Sequence, residues 1–96
     1  MLPSAIYITG ITVDGHRFRP SDWTERLYYA VAQYDRNGRV TFNPLLSIRM
    51  KNDGRCIVVD MRLREIDPIT YSFVTGFARD NALQTFDQDD QPVSVH

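Results

Sequence analysis

The chain is poor in the residues that build reactive centres. Among its 96 residues there is one cysteine, Cys56, and there are two histidines, His16 and His96. A single cysteine excludes an internal disulfide, and this fits a reducing cytosol. No pair of these residues has the spacing of a zinc site, so no metal is expected. The sequence has no glycine-rich phosphate loop and no dinucleotide fingerprint, so no cofactor is expected either. It has no apolar run near the ~20 residues of a membrane span. The opening Met1-Leu2-Pro3-Ser4-Ala5-Ile6 carries no positive residue and no apolar run of signal length. A soluble, cytoplasmic protein without a membrane partner is expected. No internal repeat is visible.

Lysine is scarce too. Ten of the eleven basic residues are arginine, Lys51 being the exception. The charge is unevenly spread. Residues 1–79 hold all eleven bases against eight acids, whereas residues 80–96 hold Asp80, Asp87, Asp89 and Asp90 and no base. The body's surplus of three is too small to mark a nucleic-acid binder, and the acidic end reads as a solvated tail. An apolar content of 43% is near the globular norm, enough for one core in one domain.

What is present is organised around Arg17-Phe18-Arg19-Pro20-Ser21-Asp22-Trp23-Thr24-Glu25-Arg26-Leu27. Pro20 keeps Arg19 extended. Ser21 is placed to cap a helix, and Asp22 and Glu25 put negative charge at its positive end. Trp23, Leu27, Ala30, Val31 and Tyr34 follow at helical period, which predicts an amphipathic helix over residues 22–34. Before it, the β-branched residues 6–13 predict a strand, with Gly10 marking a bulge. Asp14-Gly15 signals a tight turn, and residues 16–19 the returning strand.

After the helix, Asn37-Gly38 marks a turn and residues 40–42 are extended. Leu46, Ile48 and Met50 alternate with Ser47, Arg49 and Lys51, a half-buried strand. Asn52-Asp53-Gly54 turns the chain. Cys56-Ile57-Val58-Val59 is apolar throughout, which predicts a strand central in the sheet. Residues 60–66 form an irregular helical turn. Asp67-Pro68 then starts a second helix, with the carboxylate as cap and proline in the first turn. Ile66 and Tyr71 are expected to pack as a staple. The expected buried stripe is Ile69 or Thr70, Phe73, Val74, Phe77 and Ala78. Gly76 inside this helix is read as a close approach by another element. Asp80-Asn81 ends the helix, and Leu83 and Phe86 are expected to pack on the body. The fold class is therefore α+β, in the order strand-strand-helix-strand-strand-helix, with a largely antiparallel sheet and both helices on one face. The domain is expected to span residues 1–86, with 87–96 a disordered acidic tail.

The stretch Gly10-Ile11-Thr12-Val13-Asp14-Gly15-His16-Arg17-Phe18-Arg19-Pro20-Ser21-Asp22-Trp23-Thr24-Glu25-Arg26-Leu27 resembles the opening of a small bacterial family, the domain-of-unknown-function 3579 family. Cys56-Ile57-Val58-Val59-Asp60, Leu63-Arg64 and Phe77-Ala78-Arg79-Asp80-Asn81 with Leu83 resemble its second half. The similarity covers residues 6–86. It implies a compact two-strand, helix, two-strand, helix fold. It implies no activity, and no catalytic residue is carried over from it.

Candidate residues come from the surface. Arg17 and Arg19 share one face of the returning strand and lead to the free amides of the first helix, an arrangement that suits an anion although Asp22 opposes it. Tyr28 and Tyr29 border the buried stripe, and Tyr and Arg are enriched in protein interfaces. The candidate binding residues are thus Arg17, Arg19, Ser21, Trp23, Tyr28 and Tyr29. Arg62 and Arg64 read as a solvated basic edge. Cys56 reads as a core residue rather than a nucleophile. Asp14, Asp22, Asp53, Asp60 and Asp67 all have turn or cap duties. The expected function is a non-enzymatic binding or accessory module working through protein contacts or self-association. The alternatives are an anion or nucleic-acid binder using Arg17, Arg19, Arg36 and Arg39, and a small enzyme built around His16 or Cys56.

Overall fold

A computed structural model describes residues 3–51 and 54–95. The elements are β1 (Ala5–Thr12), α1 (Trp23–Ala30), β2 (Gln33–Tyr34), β3 (Val40–Thr41), β4 (Leu46–Lys51), β5 (Gly54–Asp60), α2 (Leu63–Ile66), α3 (Pro68–Asp80) and β6 (Leu83–Asp87). Four strands form one antiparallel sheet in the order β4-β5-β1-β6, and β2 and β3 form a separate hairpin. The class is α+β, as the residue patterns predict.

Register decides which side chains enter the core. Ile6 lies opposite Val59, Ile8 opposite Ile57, Leu46 opposite Val59 and Ile48 opposite Ile57. Side chains alternate along a strand, so these residues share one face. That face meets Trp23 and Leu27 of α1, Leu63 of α2 and Val74 and Ala78 of α3 in one buried cluster. The helices therefore cover a single face of the sheet. The apolar run in residues 56–59 occupies the strand flanked on both sides, because β5 lies between β4 and β1.

Several expectations are corrected. The predicted second strand at residues 16–19 shrinks to one bridge, Ile11 to Arg17, with Thr12 N donating to His16 O and Phe18 N to Gly10 O. The strand that completes the sheet on the opposite edge of β1 is Leu83–Asp87, which runs along β1 from Ile6 to Thr12 with a register shift between Ile8 and Thr12. The first helix stops at Ala30 instead of reaching Tyr34. Gln33 and Tyr34 pair with Thr41 and Val40, closing a hairpin in which the Asp35 carboxylate accepts from the amides of Asn37 and Arg39 and Gly38 takes φ +77°. Tyr34 is consequently 74% exposed. Ser21 does not cap α1. The cap position is Asp22, whose side chain makes no capping bond and instead accepts from Arg26 Nε at 3.0 Å.

The buried face of α3 is rotated from the predicted one. Val74, Thr75, Gly76 and Ala78 are buried, whereas Ile69 and Phe73 are 83% and 51% exposed. Thr75 can be buried because its hydroxyl donates to Tyr71 O at 2.8 Å. Ile66 also stands exposed, so it is not held in a staple with Tyr71. At Gly76 the nearest neighbour of an added Cβ would be the guanidinium of Arg79 at 3.3 Å, a side chain of the same helix and not a packed element.

The acidic end does not form a loose tail over residues 87–95. The Asp87 carboxylate accepts from the amides of Asp89 and Gln91, Val93 N donates to Thr85 O, and Val93 and Val95 pack against the core. The alternation Val93-Ser94-Val95 supplies apolar groups that composition alone hides.

The cap at Asp67 forms as predicted, accepting from Thr70 N at 3.1 Å and from the Thr70 hydroxyl at 2.7 Å. These bonds, the hydroxyl's first, hold the Asp67 carboxyl below the ordinary carboxylate value. A lowered folded-state pKa means that the stabilisation is complete above the unfolded value, about 4, and fades as pH falls through the folded one. Asp60, held at about 2 by the Arg62 guanidinium and then the Arg62 amide, follows the same sign. Asp67→Ala is expected to lower the urea midpoint at neutral pH, and the gap from the wild type should narrow below about pH 4. A gap independent of pH would show that the cap contributes nothing through its charge.

Candidate functional site

The end of β1 and the start of α1 come together where Gly10 allows it. A Cβ at Gly10 would lie 2.8 Å from Trp23 Nε1, closer than such contacts ordinarily come. Gly10→Ala is therefore expected to cost about 1–3 kcal/mol by overpacking, read by urea unfolding followed through the fluorescence of the single tryptophan. An unchanged midpoint would mean that the indole has room to shift.

Beside this contact lies a groove of about 780 Å³. Thr9 to Ile11 of β1, Arg17 to Arg19 of the return, and Ser21 to Trp23 form one wall. Met50 and Lys51 of β4, Gly54 to Cys56 of β5, Gln84 and Phe86 of β6, and Asp90 complete it. Arg17 and Arg19 are both exposed along it. Five other bases are paired. Arg26 meets Asp22 at 3.0 Å, Arg62 meets Asp60 at 2.7 Å, Arg79 meets Asp80 at 3.6 Å, Arg55 pairs with Glu25 and Lys51 with Asp90. Among the described residues, Arg17 and Arg19 have no carboxylate partner.

Lys51 Nζ also sits 5.3 Å from the Tyr7 ring centre and 6.0 Å from that of Phe86, within cation–π range. The hydrogen bond to Asp90 raises its pKa and keeps it charged. Cys56 lines the groove at only 1% exposure, and burial pushes its thiol pKa up. It is therefore a neutral thiol at physiological pH and a poor nucleophile. His16 does not join it. That imidazole lies in the exposed turn 3.2 Å from Asp14, outside the groove. Among the described residues, no three His, Cys, Asp or Glu side chains are grouped to hold a metal ion. Among them, too, no helix is long and apolar enough to cross a membrane.

The structure splits the six candidate residues. Arg17, Arg19, Ser21 and Trp23 line the groove. Trp23 is 5% exposed and stacks on Phe77 at 6.1 Å, so most of its surface serves the core. Tyr28 and Tyr29 lie outside the groove, packed on Phe42 at 4.6 and 5.2 Å. Arg36 and Arg39 occupy the exposed hairpin turn, also outside it. The sequence does not mark Lys51, Cys56, Gln84 and Phe86 as lining the same groove as Arg17. Nothing local marks them, because β4 and β5 reach the groove only through β5 pairing with β1, and β6 only by pairing with β1 across some seventy intervening residues.

Fold and groove define a small α+β domain whose four-stranded antiparallel sheet is covered by helices on one face. The chain belongs to the family described as "Protein of unknown function (DUF3579)", which matches residues 2–88. It is also similar, at 29% identity and a TM-score of 0.89, to a solution structure described as the first structural representative of its family; the match covers 98% of this chain and 87% of that one. No curated protein matches the sequence.

Proposed function

We propose that this protein is a small cytosolic binding module that holds an acidic segment of a partner protein in the groove beside α1. The observation that carries this reading is the pair of exposed guanidiniums, Arg17 and Arg19, lying on the groove without carboxylate partners among the described residues. Guanidinium forks recognise carboxylates bidentately. Thr9 and Gln84 are already bonded to the backbone, Thr9 Oγ1 to Gln84 O at 2.8 Å and Gln84 Nε2 to Thr12 O at 2.9 Å. The groove is accordingly firm there, and its bases, Arg17, Arg19, Lys51 and Arg55, outnumber its acids, Asp22 and Asp90. A raised thiol pKa at Cys56 supports binding over nucleophilic chemistry.

Fluorescence anisotropy with labelled peptides tests the reading. A glutamate-rich peptide should bind and a lysine-rich one should not. Arg17→Gln with Arg19→Gln should weaken the first by about tenfold or more while leaving the urea midpoint in place. If the double variant binds the acidic peptide as well as the wild type does, the groove is not the site. If a single-stranded oligonucleotide binds instead, with an affinity that falls steeply with salt, the nucleic-acid alternative replaces this one.

A further inference from the structure

A second cavity, of about 790 Å³, opens between α3, the turn before α2 and the C-terminal segment. Its volume is within the range of small-molecule sites. Its apolar lining includes Ile6, Met61, Val93 and Val95, all part of the core or packed against it, and Ser72, Thr75 and Ser94 add neutral polar groups. Its charged lining is Arg64 and Arg79. Among the described residues, no acid lines it. Arg64 has no carboxylate partner among them, and Arg79 has only the exposed Asp80 at 3.6 Å, a contact of little energetic weight.

This combination is chemically selective. Hydrocarbon surface takes an aliphatic chain, and two guanidiniums without a facing acid take an anionic head and repel a cation. The first groove differs, since it includes Asp22 and Asp90 and so balances part of its positive charge internally. We propose that the second cavity binds an amphipathic monoanion, an aliphatic chain ending in a carboxylate, with the head on Arg64 and Arg79 and the chain along Met61, Val93 and Val95.

The site would also fasten the end of the protein. Val93 is held to β6 through its amide on Thr85 O at 3.0 Å and through Thr85 Oγ1 on Val93 O at 2.5 Å. A chain lying against Val93 protects these bonds, so their opening should slow when the ligand is present.

Sodium decanoate, titrated below its micelle concentration into uniformly labelled protein and followed by amide NMR shifts, is the test. Shifts should cluster at Met61, Thr75 and Val93, and exchange of the Val93 amide should slow. Arg64→Gln with Arg79→Gln, both at exposed positions, should weaken binding about tenfold with the spectrum otherwise native. Arg17→Gln with Arg19→Gln should leave it unchanged, which separates this site from the first groove. An equal response to decyltrimethylammonium would overturn the proposal. So would decanoate binding that survives the Arg64 and Arg79 changes, or shifts confined to other residues.

Discussion

Trp23→Ala is expected to lower stability by about 3–5 kcal/mol. The indole is 5% exposed. It stacks on Phe77 at 6.1 Å with the rings 12° from parallel, and it meets Phe18 edge-on at 6.0 Å. Phe18 and Phe77 in turn touch edge-on at 5.8 Å, so the three rings form a closed set and removing the indole leaves a void beside the other two. Aromatic pairs contribute roughly 0.5–1.5 kcal/mol beyond their buried area. A domain of this size has only about 5–15 kcal/mol in total, so the variant should be close to unfolding in mild denaturant. Circular dichroism during urea unfolding measures this without the lost fluorophore. A near-native midpoint would show that Trp23 is a surface residue of the groove and not the joint between α1, the 16–19 return and α3.

Ile57→Ala comes next, at about 2–5 kcal/mol. Ile57 is 1% exposed in the strand that has neighbours on both sides, and it faces Ile8 on one and Ile48 on the other. Three isoleucines in a row across the sheet leave little freedom to refill the space. Ile69→Ala is the internal control. Ile69 is 83% exposed, and its loss should change stability by no more than about 0.5 kcal/mol. Comparable midpoints for the two variants would mean that the assigned faces of β5 and α3 are wrong.

The alternation over Leu46–Lys51 and the apolar run over residues 56–59 place β4 and β5 correctly, and the second predicts a central position that the sheet order confirms. Asp67-Pro68 marks the start of α3. The phase of α3 is not legible in the sequence, because Phe73 and Ile69 look like core and Thr75 does not. Only a backbone acceptor on Tyr71 makes Thr75 fit for burial. The length of the return at residues 16–19 is not legible for a related reason. Its turn is legible at Asp14-Gly15, but the length of its pairing depends on competitors. Along β1, residues 5–8 pair with β5, which leaves only the far end to the return. The candidate groove was half visible. Arg17, Arg19, Ser21 and Trp23 are neighbours in sequence, whereas Lys51, Cys56 and Phe86 reach them only through the sheet.

By itself, then, the sequence determined the α+β class, the turns at Asp14-Gly15 and Asn37-Gly38, the cap at Asp67 and the family. Each of these rests on conformational preferences and hydrogen bonds spanning a few residues, so a short window contains the whole cause. Tertiary structure alone decided that β5 takes most of the β1 edge and confines the 16–19 return to its end, that β6 closes the opposite edge, that Val93 and Val95 fold back, and that two basic grooves result. Those outcomes are competitions among distant segments for the same strand edge and the same apolar surface. Their balance is a sum over contacts that no local stretch of chain encloses.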